Sequence, residues 1–376
     1  MSELQDSNQK SNKVRLKESA EGIQAFYEKL IYKVPGTTKY AQLLIASVGL
    51  TVVSYGIHLC LSLNTVDSIF DDYSFLLSIM HGFCLFVLTY ATWRIKRYAV
   101  ELTDLVSVEY FQNEVYLETS IKFLKRNVGG FGLVPWGLFF AILNLFVGFL
   151  FGPYYNTASL ILSIHIQHFL IGFLCGMAVG GIYAILVMTH RTSLLKLRLN
   201  FYHPDKCCGT SSIGNLLFTF ALITLAMAVL VSSYISLSWD HNRFVPVKEF
   251  VYWFWVAWPY LLSVIVFGFP ILKIHSKLKR YKEQEHFALR KKLRSVDQKL
   301  IDLDYQNEKA MEEAEKLIAY SEKLKGIDET IDAASSWPYT KGQTGTFFSI
   351  FPVTTIASTE VSEYINDALT NAGIGS

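Results

Sequence analysis

The chain of 376 residues is predicted to be an all-α polytopic membrane protein with six transmembrane helices and a long cytoplasmic coiled-coil-like helix. Three observations predict that class. Six stretches are apolar and long enough to cross a bilayer, Lys and Arg gather in alternate loops between them, and a charged segment with a seven-residue apolar repeat follows the last one. Half of the residues are hydrophobic, a share that points away from a soluble domain when it falls in such runs.

Residues 1–40 are polar, carry Lys10, Lys13, Arg15 and Lys17, and lack the short apolar core of a secretory signal. Glu18 to Lys33 places Ile23, Phe26, Tyr27 and Leu30 on one side and stops at Pro35-Gly36. That spacing predicts a short amphipathic helix lying under the first span. The membrane domain occupies 41–272. Its spans run Ala41 to Leu63, Ser74 to Trp93, Gly132 to Gly152, Ser159 to Met188, Ile213 to Leu237 and Phe250 to Leu272. At ~1.5 Å per residue each reaches the length that a ~30 Å hydrocarbon core demands, and none holds Asp, Glu, Lys or Arg.

Orientation follows from the loops. Arg94, Lys96, Arg97, Lys122, Lys125 and Arg126 lie between spans two and three, and Arg191, Lys196, Arg198 and Lys206 between four and five. The alternate loops are poor in positive charge, so both termini and the basic loops are expected in the cytoplasm. Trp93 and Trp136 fall at the inner boundary and Trp239, Trp253 and Trp255 at the outer one.

Past the sixth span, 273–325 is highly charged. Lys273 to Lys325 contains no Gly or Pro, and is predicted to be one helix of about 80 Å. Leu289, Val296, Leu303, Ala310, Leu317 and Leu324 occupy one heptad position; His286, Leu293, Leu300, Asn307, Ala314 and Ser321 occupy the partner position. Asn307 on that seam is the kind of polar residue that sets register and strand number. Self-association through the seam competes with packing of the helix on its own protein. Lys273, Lys277, Lys279, Arg280 and Lys282 at the membrane end are expected to face anionic headgroups, each contributing roughly 1 kcal/mol. In the last segment, 326–376, the apolar stretch Thr344 to Ala357 is too short and too broken by Pro352 to span. It is expected at the inner membrane surface or against the heptad helix, with a short helix over 359–369.

The loop after span four reads Phe201-Tyr202-His203-Pro204-Asp205-Lys206-Cys207-Cys208-Gly209, and Ile213-Gly214 opens span five. Tyr-His-Pro-Asp-Lys also occurs in J-domain co-chaperones, but a soluble helix must follow it there and a span follows here. Pro204 ends the preceding helix, Asp205 can cap the turn and Gly209 permits a positive φ, which together predict a rigid elbow. His203, Pro204, Asp205, Lys206 and Gly209, Ile213-Gly214 and the later Trp337-Pro338 carry a resemblance. The chain resembles a group of uncharacterised bacterial multi-pass membrane proteins with His-Pro-Asp-Lys/Arg, a small residue, two glycines and Leu before a span, and a Trp-Pro after a charged helix. It departs from them at Cys208 and Thr210. The resemblance implies a bacterial inner-membrane location and no known activity.

The ionisable groups inside the spans are histidines: His58, His81, His165 and His168, all in the outer half of the membrane under this topology. His165 and His168 continue into Gly172, Gly176 and Gly180, a row that admits close helix packing. A haem, metal or proton site is one reading of the histidines; hydrogen bonds between helices, shared with Gln167, are the other. No span holds the carboxylate or lysine of a coupled transporter, and no potassium filter, voltage sensor, Walker loop, HExxH or nucleophile–base set is present. No enzyme activity, cofactor or nucleic-acid partner is therefore expected. Two function classes remain. One is an oligomeric pore or channel-like effector, with Pro259 and Pro270 as flexible points beside the heptad helix. The other is a non-conducting scaffold or sensor whose heptad helix recruits a cytoplasmic partner. Both place the protein among membrane lipids, and the first requires a homo-oligomer formed through the heptad helix and the glycine row.

Overall fold

A computed structural model describes residues 13–62, 73–106, 111–151, 158–197, 199–238, 245–303, 308–340 and 342–352. These residues hold no strand, only two isolated bridges, and are helical almost throughout. In chain order the helices are α1 (13–21), α2 (Phe26–Ile31), α3 (Lys39–Ser62), α4 (Tyr73–Leu105), α5 (Phe111–Asn127), α6 (Val134–Phe151), α7 (Ala158–Leu194), α8 (Ser211–Ser238), α9 (Val245–Gly268), α10 (Ile271–Ile301), α11 (Glu308–Ala333) and α12 (342–352).

Five helical stretches are long and apolar enough to cross a membrane: Lys39–Leu61, Ser74–Leu105, Ile161–Leu194, Ser211–Ile235 and Ala257–Ile301. The predicted third span corresponds to α6, whose described apolar part, Val134–Phe146, is shorter than a crossing needs. In α4, 61% of the apolar window is buried, against 28% in α3, which puts α4 in the centre and α3 at the edge. Leu44, Ile45, Val48, Val52, Val53 and Ile57 accordingly form an exposed stripe on α3, the face a lipid-embedded helix presents outward. The antiparallel pairs α3–α4, α6–α7 and α8–α9 pack side by side, and α7 also lies against α3, α4 and α5. Their connections bring the basic residues of both predicted cytoplasmic loops to one face of the bundle. There Phe26 N–H donates to the Gly130 carbonyl at 3.1 Å, and Val106 and Leu197 form a bridge.

Several elements differ from expectation. The second span does not stop at Trp93; α4 runs on to Leu105, carrying Arg94, Lys96 and Arg97 beyond the apolar run on the same helix. Between α4 and α6 the loop is largely helix α5, which buries Leu117, Ser120, Ile121 and Leu124. The N-terminal amphipathic helix is broken at Gly22; its second piece, α2, lies against α3, where Gln42 donates to the Tyr32 and Val34 carbonyls at 3.3 and 3.1 Å. Lys13 and Lys17 pair with Asp104 at 2.7 and 3.0 Å, Tyr27 shares a 2.6 Å hydrogen bond with Thr92, and Phe26 stacks on Phe131. Leu30, predicted on the apolar side, is 58% exposed.

In this N-terminal piece Glu28 is a buried carboxylate that accepts the Ala25 N–H at 3.1 Å and so caps its own helix. Burial pushes its pKa up, against the lowering effects of the Ala25 N–H and the Lys96 charge. A raised folded-state pKa means that the native state loses stability as pH climbs through and above the ordinary glutamate range. Glu28→Gln keeps the acceptor and removes the charge. It is expected to raise the thermal midpoint at pH 7, by the equivalent of up to about 1 kcal/mol, and to leave it unchanged at pH 4.

The long heptad helix is corrected most strongly. It is not continuous: α10 ends at Ile301, capped by Asp302, and α11 begins at Glu308 and returns along it. Leu289, Val296, Leu324 and Ile331 form the buried seam of this hairpin, flanked by Leu293, Leu300 and Leu317. His286 sits between Asp328 (2.6 Å) and Asp332 (3.2 Å), and Lys282 Nζ donates to the Asp332 and Ala334 carbonyls, which fixes the antiparallel register. The heptad positions are apolar because they face each other within one chain. Leu303 lies at the turn, half-buried, and Asn307 lies outside the described residues. The basic cluster of α10 is also differently employed. Lys277 donates to the Leu195 carbonyl at 2.6 Å and Lys273 meets His190 at 3.1 Å, so only Lys279 and Arg280 stand exposed among groups without such contacts.

Pro259 is accommodated inside α9, whereas Pro270 separates α9 from α10. α12 packs on α8 and α9 and not on the hairpin. It climbs the groove of α8 and α9: Gln343 bonds Asn215, Phe347 stacks on Phe267 at 4.1 Å, and Phe351 reaches Tyr260 at 6.1 Å beside Leu225 and Ala228. Leu225 is more than three turns into α8, about 20 Å at ~1.5 Å per residue. The predicted helix at 359–369, Trp239 and the side chains of Trp253 and Trp255 lie outside the described residues.

Candidate functional site

The four span histidines share one layer, distant from the basic face, and each ring bonds separately. His81 is fully buried. Its Nε2 lies 3.0 Å from the Gln167 carbonyl and must donate to it, so Nδ1 accepts from Ser54 Oγ at 2.7 Å. Gln167 Nε2 donates to Ser78 Oγ at 3.3 Å, and Ser78 donates to the Ser74 carbonyl at 2.8 Å. His58 Nδ1 pairs with Ser163 Oγ at 3.0 Å, His168 Nε2 with the Tyr234 hydroxyl at 2.8 Å, and His165 Nδ1 with the Ile161 carbonyl at 2.7 Å. These bonds stitch α3, α4, α7 and α8 where apolar attraction between helices is weak. Among the described residues no group of His, Cys, Asp and Glu is arranged to hold a metal ion. The bonds of His58, His81 and His168 join helices, whereas the Ile161 bond of His165 stays within α7.

Gly172, Gly176 and Gly180 face α6 of the same chain. A Cβ on Gly172 would meet Phe140 O and Ala141 Cα at 2.8 and 2.9 Å, one on Gly176 would meet the Trp136 carbonyl, and one on Gly180 the Trp136 ring at 2.8 Å. The row is filled by α6, which removes the basis for using it between copies. Gly176→Ala is expected to force α6 from α7 and cost about 1–3 kcal/mol, because backbone atoms block the new methyl. Gly181→Ala on the same helix meets nothing within 4 Å and should be neutral or slightly stabilising. Thermal unfolding of the two variants in one detergent checks the contrast.

The elbow after α7 is built around Asp205. Its Oδ1 accepts from Cys207 N–H at 2.8 Å and Gly209 N–H at 3.1 Å, and Oδ2 accepts from Ser211 N–H at 3.2 Å, the first residue of α8. Burial alone would raise the Asp205 pKa, but the backbone donors of Cys207, Gly209 and Ser211 outweigh it and hold it low. The turn needs this anchor, since Lys206, Cys208 and Gly209 have φ of 54°, 57° and 85°, and only the last is glycine. His203 Nδ1 lies 2.9 Å from the same carboxylate while its side chain is 45% exposed. Cys207 and Cys208 are buried, and burial with the Asp205 charge pushes both thiols up to about 11.

This elbow meets the Trp-Pro segment. Ser335 N–H donates to the Lys206 carbonyl at 2.7 Å, and the Pro338 carbonyl lies directly over Gly214, leaving no room for a Cβ. Trp337 stacks on His275 of α10 at 4.1 Å, whose Nδ1 pairs with the Ser336 carbonyl at 2.8 Å. Tyr339 lies flat on Phe267 at 4.4 Å and donates to its carbonyl at 2.5 Å. Phe201 stacks on Tyr281 at 4.8 Å, and the Tyr281 hydroxyl donates to the Leu199 carbonyl at 3.1 Å. The two short motifs of the sequence, more than 120 positions apart, are thus one junction joining the loop, α8, α9 and α10. Sequence reasoning missed His275, Phe267, Tyr281 and Tyr339. Their only sequence signal is aromatic character beside a helix break. No protein-family model matches the chain, and neither does any curated protein or solved structure.

Proposed function

We propose that this integral membrane protein is a non-conducting anchor, a scaffold or sensor that holds its α10–α11 hairpin against the basic face for a soluble partner. On this reading α6 supplies a sixth crossing, both termini and the basic face are cytoplasmic, and the membrane is the inner membrane of a bacterium. The observation that carries the proposal is the seat of the hairpin. The Trp-Pro junction fastens it to the inner ends of α7, α8 and α9, so movement of either part is transmitted to the other. Phe287, Ile301, Met311 and Ile318 remain exposed on the hairpin at 50–74%, apolar surface available to a partner.

The pore reading drew on a seam between copies and on the glycine row. Both surfaces are occupied within one chain, so a homo-oligomer would have to form through others. The deciding measurement is the mass of the solubilised particle, for the full chain and for a chain ending at Lys282. The expected result is the same number of protomers in both. A defined ring of three or more that dissociates on truncation would overturn the proposal and restore the coiled coil as organiser of a pore.

A further inference from the structure

At the basic face α4 and α8 part to leave a small open cleft, lined by Arg94, Arg97, Tyr98 and Glu101 on one side and Ser212 and Asn215 on the other. The residues are spaced three and four apart on each helix, so both rows face the same space. Arg97 Nε donates to Glu101 at 2.8 Å, a pair without net charge. Arg94 differs. Its Nε is buried and makes no hydrogen bond to any described residue. A guanidinium that lines a cleft without a carboxylate of its own attracts an anion, which its outer N–H groups rather than Nε would meet.

Two further donors point the same way. Asn215 Oδ1 accepts from Gln343 Nε2 on α12, which leaves the amide nitrogen of Asn215 as its donor for the cleft. Ser212 adds a hydroxyl. The first N–H of α8 is already taken by Asp205, so the chemistry comes from side chains and not from the helix end. The depth is also informative. Arg94 directly follows Trp93, whose ring meets Tyr40 edge-on at 5.4 Å and lies 4.9 Å from Lys39 Nζ. Aromatic and cationic side chains grouped in this way mark the headgroup level of a bilayer.

We propose that this cleft binds a phosphodiester monoanion, the phosphate of a phospholipid in the leaflet at the basic face. Arg94 makes charge-assisted bonds to it, and Ser212 and Asn215 make neutral ones. Two guanidinium groups less one carboxylate leave a single positive charge, which matches one negative charge and disfavours a dianion. The site does not depend on the role proposed for the hairpin.

The test is thermal unfolding of the delipidated full chain in neutral detergent, titrated with dioctanoyl phosphatidylglycerol, with glycerophosphoglycerol, or with inorganic phosphate. The short-chain lipid should raise the midpoint saturably. Arg94→Gln should weaken that response roughly ten- to a hundredfold, the loss of one charge-assisted bond. Asn215→Asp, which adds a carboxylate to the cleft, should weaken it as well and serves if Arg94→Gln folds poorly. Arg126→Gln, which removes an exposed charge on α5, should leave it unchanged. A response to lipid alone assigns the phosphate to a lipid, and an equal response to glycerophosphoglycerol supports the site with a soluble source. An undiminished response in both cleft variants, or an inorganic phosphate response as large as that of the lipid, would overturn the proposal.

Discussion

Phe267→Ala is expected to cost about 3–5 kcal/mol and to release α12 and the Trp-Pro segment from the bundle. Phe267 is the middle ring of a three-ring stack, 4.4 Å from Tyr339 and 4.1 Å from Phe347, with Phe348 edge-on at 6.2 Å. All three stacked rings are less than a tenth exposed. Removing the middle one deletes its own packing and leaves a void that neither neighbour can close, since each is tied to a different part of the chain. The backbone at this point is also committed. The Phe267 carbonyl lies in the last turn of α9, where the helix runs out of N–H groups, and the Tyr339 hydroxyl supplies the donor. Tyr339→Phe keeps the stack and loses that bond alone, so it should cost roughly 1 kcal/mol. Chemical unfolding of the purified protein gives the magnitude, and limited proteolysis between α11 and α12 reports release. If Phe267→Ala were cleaved no faster than the parent, the segment would be held mainly by Trp337 and Gln343.

The runs of apolar residues made most of the membrane helices legible, because bilayer thickness imposes a length that sequence alone can display. Where the helices end was much less visible. No solvent boundary stops a helix at Trp93, and the charges of Arg94 to Glu101 solvate its continuation without breaking it. Helix α5 was hidden for a similar reason: Leu117, Ser120, Ile121 and Leu124 have helical spacing, but the charges around them made the segment resemble a loop. The heptads were correctly spaced but left two partners open, a second copy and the protein itself. A seven-residue apolar repeat specifies a seam, but it does not distinguish a second copy from the same chain returning, and the turn after Ile301 has neither Gly nor Pro to announce it. Of the candidate site, the capping role of Asp205 was readable from local chemistry. The contacts of Lys206 with Ser335 and of Gly214 with Pro338 were not, since no periodicity links positions so far apart. Arg94 had been counted only for orientation; its place in a cleft with Ser212 and Asn215 appears only once α8 is packed beside α4.

Asp205→Ala is expected to cost about 2–4 kcal/mol, the second largest effect, and to open the elbow chemically as well as structurally. Three backbone donors lose a charged acceptor, and α8 loses its N-terminal cap, a role commonly worth about 1 kcal/mol by itself. Nothing then offsets the left-handed conformations of Lys206 and Cys208, each costing roughly 1 kcal/mol for a residue with a Cβ. Asp205→Asn retains one acceptor oxygen and should lose about half as much. The parent has a matching pH dependence. Because the folded carboxyl titrates below its ordinary range, its contribution is complete above that range and is lost as pH falls through the lowered value. The thiols give an independent readout. Cys207 and Cys208 are 1% and 2% exposed, and the Asp205 charge adds to burial in suppressing their thiolates. Substitution removes the charge and loosens the burial together, so maleimide labelling of these two at pH 7 should accelerate at least tenfold in Asp205→Ala, corresponding to one unit of thiol pKa. Acceleration without loss of stability would mean that the turn opens locally while α8 stays capped by other groups. Loss of stability without acceleration would place the weight of Asp205 on α8 and leave the elbow to be held by Ser335 and the stack of Phe201 on Tyr281.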